Sequence, residues 1–505
     1  MKNNSTIFLV FVVTLALILR LPGISDSFWL DEAAQALESV RPWYQQFDIV
    51  DDFQPPLLHL IVHLAQYFSH SEWWLRTWAA LLPGLITVIM TFLIGKKVFS
   101  PMVGGVAALF TATSSLMTFY SQELRPYALP MCFATISWYW LIQQRYLSKK
   151  ESLGFIIVSA AGLYSSYLYP FVFLTQLLFL PAITSAIRKQ IIILMSVTGL
   201  LFAFWIPMFL QQLNAGQNLR NNLPGWELVV STPQLKSLPL IVGKFFYGVL
   251  EIDLSVTYLI PIMILFMILA TNFFLLIKKS NIVQLKTILG LMLWGVASIL
   301  IAWLISFFVP VLQPKRVLFA LPAIYLFMSY FLLAPMELIF RKKNFALLKP
   351  RHYLLNVFAL AILLSINVFG LSQYYTRPKL QRENWRDLIT EVKANYPENE
   401  TALIVAFPEP FAPMRWYSHD YTTFSIEYLN DDSVPDLAAQ LRPIVEYKYI
   451  LTFDYLSDLT DPKDMIVSTV ASFGFREVDR LDYPNIGFVR VFSKSESITA
   501  YASWN

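Results

Sequence analysis

Long apolar runs broken by short polar turns fill the chain as far as about residue 372, and a different pattern follows. A membrane-crossing helix needs roughly 20 mostly apolar residues. Eleven segments meet or approach that length: Thr6–Ile24, Leu75–Val98, Met102–Phe119, Tyr127–Gln144, Leu153–Leu168, Pro170–Ile187, Ile191–Leu210, Tyr258–Ile277, Thr287–Val309, Val317–Ile339 and Tyr353–Leu371. The run at 153–168 is short, and the break at Tyr169-Pro170 would also suit a buried hairpin joining it to the next. The first run contains Arg20 and no small-residue cleavage pattern follows it, so it reads as a retained span rather than a signal peptide.

Two longer polar loops, 25–74 and 211–257, interrupt the series. Within them Asp31–Tyr44 reads as a helix lying along the membrane, Pro55–Phe68 as a second amphipathic helix with proline in its first turn, and Gln234–Val249 as a weaker third. From about Gln373 the periods become those of a small α/β domain. The pattern predicts helix Asn384–Asn395, strand Ala402–Phe407, helix Pro435–Leu441, strand Tyr447–Phe453 and helix Pro462–Phe473. A hairpin follows, Arg476–Leu481 with Phe488–Phe492, turning at Tyr483-Pro484-Asn485. The expected organisation is a membrane domain over 1–372 and a water-facing domain over 373–505.

Composition agrees with the pattern: 56% of residues are hydrophobic and only 14% charged, with mean hydropathy +0.53. A soluble protein carries roughly 25% charged residues, so the composition argues against an ordinary soluble enzyme. The net charge of +4 hides two opposed regions. Up to Ser372 there are 25 Lys/Arg against 14 Asp/Glu, and beyond it 13 against 20. The basic residues cluster in alternate short loops, at Lys96-Lys97, Lys149-Lys150, Arg188-Lys189, Lys278-Lys279 and Arg341-Lys342-Lys343. The positive-inside rule places those loops and the N-terminus in the cytoplasm. Loops 25–74 and 211–257 and, by the odd span count, the C-terminal domain then lie outside a plasma membrane. The positive charge is dispersed over loops, so no nucleic-acid partner is expected. With one cysteine, Cys132, there is no disulfide framework or cysteine metal cluster, and no G-x-G-x-x-G or P-loop marks a nucleotide site.

Under that orientation twelve of the 14 acidic residues before Ser372 fall on the outer side, all but Glu151 and Glu337, so carboxylate chemistry belongs there. Phe28-Trp29-Leu30-Asp31-Glu32-Ala33 sets two adjacent carboxylates at a helix start between aromatics. Asp31 could take a proton from an attacking hydroxyl as a general base, or simply cap the helix. Glu123 and Arg125 share the short outward turn 121–127, as functional groups or as a mutual ion pair. Lys315 and Arg316 lie on the outer side against the charge trend, which suits an anionic ligand such as a phosphate, or lipid head groups. His59 and His63 stand four apart on one helix face, but Leu-Ile-Val between them lacks the glutamate of the zinc-protease motif. With Asp51 or Asp52 they are weak metal candidates, and polar packing is the favoured reading.

Taken together, these segments resemble the GT-C glycosyltransferases, in particular bacterial relatives of protein O-mannosyltransferases and of lipid A aminoarabinose transferase. The resemblance rests on Arg20-Leu21-Pro22, Trp29-Leu30-Asp31-Glu32-Ala33, Gln54-Pro55-Pro56-Leu57-Leu58, Glu72 through Arg76, Tyr120 through Tyr127, and Pro314-Lys315-Arg316 leading to Ala320-Leu321-Pro322-Ala323. It departs from the family at Gln54, where histidine or lysine is common, and at Lys315-Arg316-Val317, where Arg-Tyr is usual. It implies a mainly α, polytopic helical bundle with amphipathic outer-loop helices and an extracytoplasmic C-terminal α/β domain. It implies, too, an inverting cell-envelope enzyme moving a hexosyl or pentosyl group from a polyprenyl-phosphate donor to a protein, lipid or polysaccharide acceptor. In that scheme Asp31 is the base and Glu32 holds the acceptor or orients the base. Arg125, Lys315 and Arg316 meet the donor phosphate, Glu123, Glu72 and Arg76 support them, and a divalent metal ion is a candidate cofactor. A transporter or flippase of lipid-linked sugars is the alternative; it would be expected to carry polar or broken helices at the bilayer midplane, whereas here the charges gather at one face. A non-catalytic receptor would need neither eleven spans nor the Asp31-Glu32 pair.

Overall fold

The computed structural model describes residues 2–50, 52–222, 237–250, 255–278, 280–309, 311–341, 350–407, 409–418, 420–426 and 437–494. Asp51, Glu227, Glu251, Asp253, and parts of the helices expected at Gln234–Val249 and Pro435–Leu441, lie outside the described residues. The chain is 70% helical and divides into two compact units. One comprises 1–25 and 39–376; the other comprises 26–38 and 377–505.

The first unit is a helical bundle of a multi-pass membrane protein. Among the described residues six helices are long and apolar enough to cross a membrane: Glu72–Val98, Ser185–Ala203, Val256–Ile277, Ile282–Ile305, Leu318–Met336 and Tyr353–Thr376. Their central windows are strongly apolar, yet those of Ser185–Ala203 and Val256–Ile277 are only 22% and 28% buried. Apolar faces left uncovered on that scale are stable in hydrocarbon and unstable in water. The other expected spans are shorter helices. Met102–Phe119 is split at Ser114, whose backbone is extended and whose hydroxyl accepts the Met117 N–H and restarts a helix at 115. The runs 153–168 and 170–187 form helices Lys149–Leu163 and Tyr169–Phe179, with the Tyr169 ring lying where a side chain on Gly162 would be.

Helix Leu82–Val98 packs closely against helix Pro101–Thr113. Ser100 caps the second helix through the Val103 N–H, and Pro101 at its first position supplies a pre-set φ, so the chain reverses within a few residues. Glycines let the backbones touch: a Cβ on Gly95 would lie 2.5 Å from Gly104 Cα. The fully buried Arg20 guanidinium donates to the carbonyls of Ala112 (2.9 Å) and Thr111 (3.3 Å), at the C-terminal end of Pro101–Thr113 where carbonyls lack helical partners.

The second unit is built on a five-stranded sheet of order β2-β1-β3-β5-β4. Its strands are β1 (Thr401–Val405), β2 (Thr422–Ser425), β3 (Tyr449–Phe453), β4 (Phe475–Tyr483) and β5 (Gly487–Lys494). β1 pairs in parallel with β2 and β3, while β5 is antiparallel to β3 and β4. Alternate residues enter opposite cores. Leu403, Leu451 and Val491 pack with Trp385 and Leu388 of helix Trp385–Asn395. Ile404, Ile450 and Phe492 pack with Leu441, Ile466 and Val470 of helices Leu437–Leu441 and Met465–Ser472. A sheet covered on both faces reads as continuous apolar runs, as the buried strand TALIV does. The β4–β5 hairpin turns through Asn485 and Gly487, both at positive φ. β2 and the helix Ala412–Tyr417 were not expected.

Candidate functional site

The 121–127 turn follows the end of helix Ser115–Tyr120, and Pro126, which lacks an N–H and disfavours a helical Arg125, keeps the chain out of a helix until Ala128. Two tight bonds, Arg125 N–H to Glu123 O and Tyr127 N–H to Arg125 O, both 2.8 Å, fold it back before helix Ala128–Leu141 begins. Gln122 anchors the turn: its amide donates to the carbonyls of Arg20 (2.9 Å) and Pro22, and Tyr374 OH donates to its oxygen at 2.9 Å. The turn is thus fixed to the end of the first helix and to the last helix of the bundle. Glu123 is buried and Arg125 half-buried. Lys315 comes to the same turn, with Nζ 5.4 Å from the centre of the Tyr127 ring. Half-buried Arg316 follows it, with its N–H 3.0 Å from the Gln313 carbonyl.

Asp52 and His59 also meet. Pro55-Pro56 leads into helix Leu57–Gln66, and the His59 ring, fully buried, hydrogen-bonds through Nε2 to Asp52 Oδ2. Gln54 Nε2 donates to the same carboxylate and lies 3.2 Å from His59 Nε2. Burial pushes the Asp52 carboxyl up, but the hydrogen bond and charge of His59, the charge of Arg125 and the hydrogen bond of Gln54 outweigh it. The net direction is down, which favours a carboxylate beside Arg125. Gln212, buried on helix Ile206–Asn222, clamps this loop by donating to the carbonyls of Ile49, Asp52 (2.7 Å) and Gln54 (3.2 Å). The Tyr167 hydroxyl donates to Gln212 and accepts from Trp205 Nε1 at 2.8 Å.

His63 goes elsewhere. Its Nδ1 lies 2.9 Å from the Ser39 carbonyl and its Nε2 3.1 Å from Tyr67 OH, which is the polar packing that the sequence favours. Asp52 and His59 together offer two ligands of the kind that hold zinc, half a tetrahedral set. Arg76 is fully buried and donates to the Ile24 carbonyl at 3.0 Å, while Glu72 opens the same short helix.

Asp31 and Glu32 belong to the second unit. Their helix, Leu30–Val40, starts one residue before Asp31, so both acids lie inside its first turn. Leu30 N–H, a donor without a helical partner, is taken by Glu383 Oε2 at 3.2 Å. Glu32 is fully buried, 3.6 Å from the Arg382 guanidinium. Glu383 also accepts from Trp385 Nε1 (2.6 Å) and Tyr455 OH (2.8 Å). Burial pushes its carboxyl up to about 7 against those hydrogen bonds, with the nearby Asp31 charge adding to the rise. Arg382 and Glu383 are not marked by any motif in the sequence. The only signal is an Arg-Glu pair directly before a predicted helix, the counterpart of Asp31-Glu32.

No protein-family model matches the sequence, nor does any curated protein. Solved structures do match. ArnT from Cupriavidus metallidurans in the apo state is similar with TM-score 0.58 at 13% identity, over 97% of this chain and 98% of that one. ArnT bound to undecaprenyl phosphate gives 0.55 at 12%, over 98% and 99%. The Archaeoglobus fulgidus oligosaccharyltransferase in complex with Zn and sulfate gives 0.53 at 11%, over 96% of this chain and 72% of that one. ArnT is a lipid A aminoarabinose transferase, and both proteins are GT-C glycosyltransferases. The likeness spans nearly the whole chain, and what it shows is that this protein has the GT-C fold.

Proposed function

We propose that the protein is an inverting glycosyltransferase that takes a sugar from a polyprenyl-phosphate donor and transfers it to an acceptor hydroxyl or amine at the outer face of the membrane. The observation that carries this reading is the gathering of Lys315 onto the 121–127 turn that holds Arg125, in a fold shared with a protein crystallised with undecaprenyl phosphate. Cations brought together at a polar turn of a membrane bundle suit a phosphate leaving group, whose charge grows as the sugar departs. Arginine grips two phosphate oxygens at once and lysine adds a point charge.

In this scheme Asp31 takes the proton of the acceptor as its heteroatom forms a bond to the anomeric carbon. The bond from that carbon to the phosphate oxygen breaks on the opposite side, so the configuration inverts and the polyprenyl phosphate leaves with the electron pair. Arg125, Lys315 and Arg316 offset its charge. Glu123 supports Arg125, and Arg76 braces the segment after the first helix through the Ile24 carbonyl, with Glu72 at the start of the same short helix. The fold, the outward concentration of carboxylates and the lack of a nucleotide-binding sequence favour a lipid-carried donor over a nucleotide sugar.

The test is a panel of polyprenyl-phosphate hexoses and pentoses offered from outside to right-side-out vesicles containing the protein, with a mixture of cell-envelope acceptors. Release of polyprenyl phosphate with one donor is the expected result. Movement of intact donor across the bilayer with no release would favour a flippase instead.

A further inference from the structure

Residues 26–38 fold with residues 377–505, although they follow the first helix of the bundle directly in sequence. The contacts are specific. Arg386 N–H donates to Ser27 Oγ at 3.1 Å, and Phe28 N–H donates to Tyr417 OH at 2.8 Å. The Phe28 ring meets Trp416 edge-on at 5.7 Å, and Leu30 packs against the core around Trp385. Two consecutive residues then hold the first turn of helix Leu30–Val40: Glu383 takes the Leu30 N–H, and Arg382 faces the Glu32 carboxylate.

We infer that Arg382 and Glu383 are positioning residues for the reaction base, fixing the first turn of helix Leu30–Val40 so that the Asp31 carboxylate keeps one orientation. The inference rests on the proposed role of Asp31. Its physical basis is the fork that Glu383 makes. One oxygen accepts from Tyr455, the other from Trp385 and Leu30, so the carboxyl has no free rotation. Asp31 is the residue next to the backbone N–H so held, and Glu32 after it is tied to a buried guanidinium. A base flanked on both sides by fixed atoms loses little orientational freedom when an acceptor arrives. A buried ion pair with one partner removed leaves an uncompensated charge, so Arg382 cannot be lost without disturbing Glu32. The residues after 376 are therefore part of the catalytic apparatus in this account, rather than a cover added to it.

The experiment compares the full-length wild type with Glu383→Ala and Glu383→Gln. Glutamine can keep its carbonyl oxygen toward Leu30 and Trp385 and donate its amide to the Tyr455 hydroxyl, so it should restore what alanine removes. Three quantities are measured: hydrogen exchange over 28–34, binding of undecaprenyl phosphate, and single-turnover sugar transfer. Glu383→Ala should raise exchange over 28–34 by about tenfold, in line with the loss of a buried hydrogen bond that leaves the Leu30 N–H unmet. Transfer should slow by a similar or larger factor with phosphate binding unchanged, and Glu383→Gln should stay within about twofold of wild type in exchange. If Glu383→Ala does not fold, Arg382→Met carries the same test through Glu32. Unchanged exchange over 28–34, raised exchange with unchanged transfer, or loss spread evenly over the whole second unit would each overturn the inference. Absence of transfer by the wild type with any donor overturns the proposed function itself, and is seen before any variant is made.

Discussion

Gln212 offers a perturbation whose size follows from the geometry. Its amide faces three backbone carbonyls, those of Ile49, Asp52 and Gln54, and its oxygen receives the Tyr167 hydroxyl. An NH₂ group has two hydrogens, so two of the three carbonyls are served at a time, and with Tyr167 that makes three hydrogen bonds. At about 1 kcal/mol net for each, Gln212→Ala should cost about 3 kcal/mol. Because every 1.4 kcal/mol is a factor of ten, opening of the loop that carries Asp52 should rise by about 100-fold. Gln212→Glu sharpens the test. The carboxylate keeps the Tyr167 contact but turns negative charge toward three carbonyl oxygens, so near pH 8 it should be worse than alanine despite its matching shape. The assay is hydrogen exchange over 52–57, read beside thermal unfolding in detergent. Wild-type protection in Gln212→Glu at pH 8 would refute the clamp and, with it, the account of how Asp52 is held.

Glu383 makes stability depend on pH. Its ordinary value near 4.5 is raised to about 7 in the fold, so between those values the folded state holds a proton that the unfolded chain has released. The stability that Glu383 contributes should therefore be full below pH 4.5 and fall as pH rises to 7, by on the order of 3 kcal/mol, so Glu383→Gln should remove that part of the slope in a pH series of unfolding temperatures. At Gly104 a Cβ would meet Phe92 O at 2.5 Å and Lys96 N at 2.6 Å, both backbone, so Gly104→Ala should cost about 1–3 kcal/mol or more. Gly199, with nothing within 4 Å, is the control: Gly199→Ala should be neutral or slightly stabilising, and equal unfolding temperatures for the two variants would contradict the packing account. Arg316→Ala should weaken donor use by about tenfold or more, and Arg316→Lys by less, because lysine keeps charge without the two-pronged grip. Unchanged donor kinetics in Arg316→Ala would leave that residue a lipid head-group contact.

Hydropathy and period made the membrane bundle and most of the C-terminal sheet legible, because burial in lipid or between helix layers imposes a local pattern. Strand TALIV and the 475–494 hairpin announce themselves this way. β2 does not: four residues, Thr-Thr-Phe-Ser, are too few to establish alternation, and their pairing with β1 is a long-range fact. The same limit governs the candidate site. Asp31 and Lys315 stand out because charge beside apolar runs is costly and so conspicuous. Gln122, Gln212 and Glu383 act on backbone groups more than 100 residues away in sequence, and an amide or carboxyl serving a distant carbonyl or N–H leaves no spacing to read. The helix at Asp31 has an amphipathic pattern, and the sequence does not show that Leu30, in its first turn, and Phe28, just before it, pack on residues after 376. An apolar face reports that something covers it, without saying what.

Single-turnover transfer by Asp31→Asn, measured with the donor that the wild type uses, decides whether Asp31 is the reaction base. Asparagine keeps the size of aspartate and the polar character of the first turn, but it cannot accept a proton at neutral pH. The variant should unfold at the wild-type temperature, bind undecaprenyl phosphate as the wild type does, and transfer sugar roughly 10²–10⁴ times more slowly. Full activity with normal stability would contradict the account and remove Asp31 from the chemistry.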